Sequence, residues 1–230
     1  MKKISTLALI LSSTLIVACH KKAPEAALET PVVAAPAPAP ATPAAVATPV
    51  TPAEQTPEQK ELAAKQALMD YGVMEDKYMN DTRAQWTSSA KASSTFGDDN
   101  GKTPSDSSIA ANIKGPVDGK TWTNNHQELG FDTVETGYDK PVAATEVRVA
   151  FDNGSGVEAM SKIELQDTEG KWNVVWTGIS EVKKDTRGRR TWFVRSFDKT
   201  TYKAKAVKIT LANNLEHGYK VVDAVQLVGD

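Results

Sequence analysis

The chain has 230 residues, a formal net charge of −2 and one cysteine. A chain this close to neutral lacks the basic excess that nucleic-acid binding requires, so we expect no nucleic-acid partner. A single cysteine excludes an intrachain disulfide, and in an exported protein a lone cysteine needs another role. About 150 residues remain beyond the targeting and low-complexity segments described next, enough for one domain with a single core.

Residues 1–18 have the parts of an export signal. Lys2 and Lys3 supply a positive start, and an apolar run over residues 4–17 follows. That run is shorter than the ~20 residues that a membrane-spanning helix needs, so the pattern predicts a signal peptide. Ala18, a small residue, then precedes Cys19.

The run Leu15-Ile16-Val17-Ala18-Cys19 resembles a lipobox, the sequence read by lipoprotein signal peptidase, with Ile16 in place of the usual leucine. The resemblance implies cleavage before Cys19, lipid on its sulfur and a membrane anchor, which two or more acyl chains make stable. An ordinary signal peptide that ends in cysteine is the alternative. His20, where an aspartate would imply inner-membrane retention, implies the outer membrane. The domain would then face the periplasm, or the cell surface.

Residues 19–55 are predicted to form a disordered tether. Nine of the twelve prolines lie between Pro24 and Pro57, and most of the other residues there are Ala, Thr and Val. Such a chain favours extended polyproline II and can reach about 100 Å at ~3.1 Å per residue. A flexible stalk with no binding role is the simplest interpretation.

A short helical segment is predicted over residues 56–80. Its start has the residues of a capping box with proline at the first helical position: Thr56, Pro57 and Gln59. Gly72 predicts the end of the helix, with a second short turn over residues 73–79. One face is expected to dock on the domain or to pair with another protein. That face carries Ala64, Leu68 and Tyr71.

Beyond about residue 84, apolar and polar residues alternate, which is the pattern of half-buried antiparallel strands. The clearest runs are 146–151, 162–166, 207–211 and 224–228. Turn signals separate these runs and no long helix intervenes. The pattern predicts an all-β domain over residues 84–230, an antiparallel β-sandwich or jelly roll of roughly seven or eight strands.

Several short motifs follow one another in this region: Trp86–Ser94, Val117–Trp122, Val134–Val142, Lys162–Leu165, Gly170–Trp172, Ala206–Leu211 and Val222–Leu227. Their order and spacing over residues 84–229 resemble those of galactose-binding-like (discoidin-type) domains. The resemblance implies a jelly-roll β-sandwich with neighbouring ends. It also implies binding as the function, of carbohydrate, lipid head groups or proteins. Because one fold carries many ligands, the site must be argued from individual residues.

The same resemblance implies a possible structural calcium near the Asp-Gly loop. Asp118 and Thr121 match that loop, and Asp223 lies on the closing strand. Calcium takes six to eight oxygen ligands, and an ordinary Asp-Gly turn is the alternative. No other cofactor is expected.

Two loop clusters carry the aromatic and hydrogen-bonding groups that a sugar site uses. They are Trp122 with Asn124, Asn125 and His126, and Tyr219 with Asn213, Asn214 and His217. Trp122 has a second interpretation, as a core residue near the start of a strand. The remaining tryptophans of the β region lie in or beside predicted strands and are assigned to the core: Trp172, Trp176 and Trp192.

Residues 183–190 contain five basic side chains among eight and are predicted to form a loop tip between strands. The candidates for ligand contact are Lys183, Arg187, Arg189 and Arg190. Contact with an anionic polymer or an acidic protein patch is the functional interpretation, and a solvated loop is the simpler one.

The sequence does not favour an enzyme. Cys19 is assigned to lipidation, and the chain has three histidines with no zinc-ligand spacing and no Gly-rich phosphate loop. The chain is therefore predicted to be a membrane-anchored, non-catalytic binding protein for carbohydrate or a cell-envelope polymer. A structural or assembly lipoprotein that binds another envelope protein is the alternative.

Overall fold

The structure is a computed structural model that describes residues 55–98 and 104–230. The predicted signal peptide, Cys19 and nearly all of the predicted tether lie outside these ranges. Within them the chain forms the helix α1 (Pro57–Met79) and the strands β1 (Ala84–Trp86), β2 (Ser89–Ala92), β3 (Trp122–Thr123), β4 (Phe131–Val142), β5 (Ala144–Asp152), β6 (Met160–Asp167), β7 (Trp172–Thr177), β8 (Arg190–Ser196), β9 (Ala204–Ala212) and β10 (Val221–Gly229).

The strands form two antiparallel sheets, which confirms the predicted jelly-roll β-sandwich. The first sheet has the order β1-β10-β5-β8, with β3 also paired to β10, and the second has the order β2-β4-β9-β6-β7. The chain passes repeatedly between the sheets, as a jelly roll requires. Ala84 of β1 lies opposite Val228 of β10, so the two ends of the domain meet, as the family resemblance implied.

The core lies between the two sheets. Because side chains alternate along a strand, every second residue of β5 and β9 enters one apolar cluster. These residues are Val147, Val149, Phe151, Val207, Ile209 and Leu211. Each of them is at most 1% exposed. Burial of apolar surface, worth roughly 25 cal/mol per Å², is therefore the main force that holds the sheets together.

Helix α1 begins as predicted and ends later than predicted. Thr56 Oγ1 accepts the Gln59 N–H at 3.3 Å, and Gln59 Oε1 accepts the Thr56 N–H at 2.9 Å, which completes the capping box. The predicted stop at Gly72 is wrong, because the helix continues to Met79. A glycine inside a helix costs about 1 kcal/mol, and docking of the residues beyond it offsets that cost. No helix within the described residues is long and apolar enough to cross a membrane.

The second half of α1 packs on the outer face of the first sheet. The Tyr71 side chain is buried, and its hydroxyl donates to the Arg190 carbonyl at 2.9 Å and accepts the Arg190 N–H at 3.1 Å. The rings of Tyr78 and Trp192 lie 5.1 Å apart between centroids. Trp192 Nε1 donates to the Glu75 carboxylate at 3.1 Å. The helix is thus a third layer over the sandwich.

Tyr71→Ala should lower the free energy of unfolding by about 3 kcal/mol, because it removes a buried ring and two hydrogen bonds. Leu68→Ala is the matched control: Leu68, like Ala64, was predicted to dock, but it is 57% exposed and Ala64 is exposed too. The control should change the free energy by less than ~0.5 kcal/mol. Urea denaturation of the full-length protein measures both. Equal effects would show that Tyr71 does not hold the helix.

Candidate functional site

The outer face of the second sheet carries a row of small side chains that crosses the strands. Ser89 of β2 lies opposite Gly137 of β4, and Gly137 lies opposite Ala206 of β9. Ala206 is paired with Gln166 of β6, and Gln166 with Trp172 of β7. Three small residues beside a long amide and an indole leave a depression in the face, so the strand register itself creates a groove.

This groove has a volume of about 590 Å³, and Trp172 forms one wall. Ser88, Lys91 and Lys205 also line it. The Ser89 hydroxyl occupies the space next to Gly137, where a Cβ atom would overlap Ser89 Oγ. The assignment of Trp172 to the core is wrong: the residue is half-buried at the groove, because β7 is an edge strand and its outward face has no neighbouring layer.

A row of charged side chains runs beside the small residues. The Glu135 carboxylate lies 2.7 Å from Lys91 Nζ and 3.0 Å from Lys208 Nζ. Lys208 Nζ also lies 4.1 Å from the centroid of the Trp172 ring. Burial alone would raise the pKa of Glu135, but the two ammonium groups outweigh it and hold the pKa below its ordinary value. Glu135 is therefore ionised, and the row keeps an excess of positive charge.

A second depression continues the groove along the same face. Its volume is about 680 Å³, and it is lined by Lys208, whose Nζ lies 4.1 Å from the ring of Trp172 at the groove. Phe131, which is 67% exposed, borders the far end. Phe131 and Trp172 lie three strand spacings and six residues apart in the sheet, which corresponds to about 25 Å. The face is thus long enough for an extended ligand.

The structure corrects the first predicted loop cluster. Trp122 is 0% exposed, and its Nε1 donates to the Ser94 carbonyl at 2.9 Å, so its ring has no face open to a sugar. Asn124 is also fully buried, and its amide donates to Asp132 Oδ2 at 2.9 Å. Both residues therefore belong to the buried structure and not to the surface of the loops.

The remaining loop candidates meet at one end of the sandwich, on residues 124–129 and 213–219, which we call the tip loops. His217 Nδ1 lies 3.2 Å from Glu128 Oε1. Tyr219 is half-buried, with its ring edge-on to Phe96 at 5.0 Å. The exposed His126 ring borders a shallow depression of about 430 Å³. The tip loops are therefore a second, less enclosed candidate site.

Asp132 lies beneath the tip loops and was missed by sequence reasoning. Its carboxylate is 1% exposed, and it accepts hydrogen bonds from Ser94 (2.7 Å), Asn124 (2.9 Å), Asn213 (2.8 Å) and Ser93 (2.9 Å). Burial alone would raise the pKa of Asp132, but these hydrogen bonds outweigh it and hold the pKa below its ordinary value. The available signal was a charged residue at an inward-facing position of β4.

The residues expected around calcium are arranged around a guanidinium. Asp223 Oδ1 accepts the backbone N–H groups of Asp118 and Gly119, both at 3.2 Å, and Asp223 Oδ2 accepts Arg190 Nε at 2.6 Å. The Thr121 carbonyl accepts a side-chain amide. Calcium needs converging oxygens, whereas here N–H groups converge on Asp223, so the donor set does not fit this ion. Among the described residues, no group of three or more His, Cys, Asp or Glu is placed to hold a metal.

The predicted basic loop tip has internal partners. The pairs are Lys183 with Glu158, Arg187 with Asp185, Arg189 with Asp152, and Arg190 with Asp223. The Arg187 guanidinium also lies 5.8 Å from the centroid of the Tyr71 ring, so this loop and α1 contact each other. Because each of these cations faces a carboxylate, the loop presents much less free positive charge than its sequence suggests.

No family model and no curated protein matches the chain. Among solved structures, it is similar to CpGH89CBM32-5 from Clostridium perfringens, in complex with GalNAc-β-1,3-galactose (12% identity, TM-score 0.44, 61% of this chain and 94% of that one). It is also similar to the family 32 CBM of C. perfringens NanJ in complex with galactose (17%, 0.43, 63% and 98%). A third is the CBM32 of AlyQ in complex with 4,5-unsaturated mannuronic acid (16%, 0.44, 64% and 98%). At these identities the similarity concerns the fold and not the ligand.

Asp132→Asn should lower the free energy of unfolding by about 2 kcal/mol at pH 7, because an amide cannot accept all the hydrogen bonds of the carboxylate. The folded pKa lies below the unfolded value of about 3.9, so the contribution of the carboxylate is present above that value and is lost as the pH falls through the folded pKa. Urea denaturation at pH 7 and pH 3 should show that the difference in the free energy of unfolding between wild type and Asp132→Asn is smaller at pH 3. The exposed Asp198→Asn is the control and should stay within ~0.5 kcal/mol. A difference that does not change with pH would contradict this role.

Proposed function

We propose that this protein is a non-catalytic carbohydrate-binding module held to the bacterial cell envelope by lipid on Cys19. The observation that carries the proposal is the groove on the second sheet, where a row of small residues ends at Trp172. An indole offers a flat apolar surface to the C–H face of a sugar ring, and nearby polar side chains orient the hydroxyl groups. Ser89 and Gln166 supply such groups in the groove.

The ligand is proposed to be a polymer with acidic groups. The two adjoining depressions have a combined length of about 25 Å, which suits several linked units better than one sugar. Lys91, Lys205 and Lys208 face or border the groove, and Glu135 is the carboxylate paired with two of them. This excess of positive charge favours polymers that carry carboxylate or phosphate, and it brings them to the surface faster at low ionic strength.

The anchoring part of the proposal is supported by the sequence. Lys2, Lys3 and the apolar run end at Ala18-Cys19, and His20 favours outer-membrane sorting. The Pro-rich tether over residues 19–55 would let the domain reach polymer away from the membrane surface. The non-catalytic part is supported by the groove itself, whose lysines, ion-paired glutamate and indole bind a ligand without activating a nucleophile.

Trp172→Ala should weaken binding of an acidic polymer at least tenfold, because it removes the wall on which a sugar ring stacks. The full-length protein in detergent would be titrated with purified peptidoglycan fragments, lipopolysaccharide and a uronic-acid polymer. Val174→Ala is the matched control, since Val174 lies two residues away on β7 and is 56% exposed. Tyr219→Ala tests the tip loops. Loss of binding in Tyr219→Ala but not in Trp172→Ala would place the site on the tip loops and refute the groove.

Lipid on Cys19 has its own test. Growth of the producing cells with an alkyne-tagged fatty acid should label the wild-type chain, and Cys19→Ser should abolish the label, because the sequence has no other cysteine to form the thioether. His20→Ala is the control and should keep the label. Labelling that survives in Cys19→Ser would overturn the anchor.

An assembly role is the second candidate, and an exposed apolar face of α1 favours it. Leu62, Met69 and Val73 are 69%, 60% and 66% exposed, and their spacing places them along one face of the helix. Such a stripe suits a partner protein with an apolar helix face. The two candidates are distinguished by the titration above, because an assembly role needs no polymer affinity.

A further inference from the structure

Lys220, the residue before β10, is a fully buried lysine with an unusual set of partners. It is 0% exposed, and its Nζ donates to four main-chain carbonyl oxygens. These belong to Gln127 (2.5 Å), Asn213 (3.0 Å), Glu216 (2.7 Å) and Gly218 (2.6 Å). We call this set the carbonyl cage. An ammonium group has three protons for these four acceptors. The four contacts therefore resemble a coordination shell around a point charge, and not four separate hydrogen bonds.

The carbonyl cage joins the two tip loops. Gln127 lies on the first tip loop, and the other three carbonyls lie on the second. Four converging carbonyl dipoles repel one another, and the carbonyl of the buried Asn213 would lose this partner without a cation at the centre. The central charge therefore determines whether the two loops stay together.

The surrounding structure is built around the Lys220 side chain. A Cβ atom at Gly156 would lie 2.8 Å from Lys220 Cβ, and Gly156 has a φ of 103°, so a residue without a side chain is required there. The Glu216 carboxylate accepts the backbone N–H groups of Gly156 and Glu158 at 2.7 and 2.8 Å. The Lys220 N–H donates to Asn124 Oδ1 at 2.8 Å. The lysine stem and both loops are thus positioned independently of the ammonium group.

We propose that the Lys220 ammonium group serves as a built-in cation, in the role that a bound metal ion has where main-chain carbonyls converge, so that the tip loops close without calcium or another metal. The distances to the Asn213 and Glu216 carbonyls, 3.0 and 2.7 Å, are those of N–H to oxygen hydrogen bonds, and the other two carbonyls lie closer still. Arg190 supplies a second built-in cation, at the Asp-Gly loop. A covalently attached cation cannot dissociate or be chelated.

The surroundings of Lys220 act on its charge in opposite directions, and its pKa stays below the ordinary value. Burial lowers the pKa of the Lys220 ammonium group, and the carboxylates of Glu216, Asp132 and Glu128 oppose that shift. The cage favours the ammonium form, because a neutral amine would have two N–H protons and a lone pair facing four carbonyl oxygens, whereas the ammonium donates three protons. The proposal does not depend on the groove, so the loss of one leaves the other intact.

The test compares the melting temperatures of the full-length protein and three variants. Each is measured in EDTA, in calcium chloride and in propylammonium chloride. Sodium chloride at equal ionic strength is the reference for the propylammonium salt. Wild type should melt at the same temperature in EDTA and calcium. Lys220→Met should melt roughly 10 °C lower, because it leaves the cage without a cation. Lys65→Met, at a side chain 70% exposed on α1, is the control and should melt within ~2 °C of wild type.

Lys220→Ala provides the most specific readout, because it leaves room for the missing part of the side chain. Propylammonium, which matches that part, should raise its melting temperature by several degrees while leaving wild type and Lys220→Met unchanged. A lower melting temperature of wild type in EDTA that calcium restores would overturn the proposal, and so would wild-type stability in Lys220→Met. If both Lys220 variants fail to fold, the comparison of wild type in EDTA and calcium decides the question alone.

Discussion

The last strand, β10, is the constraint on which the rest of the domain depends. It pairs with β1, β3 and β5, and the polar side chains on and beside it are buried, so each must find a partner inside the protein. Lys220 binds the tip loops, Asp223 binds the Asp-Gly loop and Arg190, and Gln226 donates to the Tyr78 carbonyl at 2.9 Å. One strand thus positions the loops, the basic segment and α1 at the same time.

The two outer faces of the sandwich differ because of the side chains that their strands present. On the first sheet, Ala224, Ala150 and Trp192 lie side by side across β10, β5 and β8 and leave an apolar surface that α1 covers. On the second sheet, Glu135 and Lys208 belong to a charged row, and covering that row with another layer would remove these charges from water at a large cost. The second face therefore stays open, and the small residues next to the charged row make it a groove.

Internal ion pairs explain why the basic segment of this chain is less available to ligands than its sequence suggests. Arg148 is 3% exposed, lies 2.8 Å from the Asp81 carboxylate and stacks on Tyr78 at 4.6 Å. Arg190 and Lys220 have comparable positions at the Asp-Gly loop and the carbonyl cage. Buried cations of this kind are satisfied by carboxylates and carbonyls that are distant in sequence. The lysines of the second sheet are therefore better candidates for contact with an anionic ligand than residues 183–190.

The sequence by itself determined what depends on neighbouring residues: the capping box at Thr56 and the alternation that defines the strands. The export signal that ends at Cys19 stays a prediction. The tertiary structure alone decided which tryptophan is open to solvent. Trp122 and Trp172 both follow a loop signal, but Trp122 is fully buried, whereas Trp172 lies on β7, an edge strand. The groove floor could not be predicted, because its small residues come together only through the register of the strands. The carbonyl cage could not be predicted either, because it is formed by main-chain carbonyls, which every residue has.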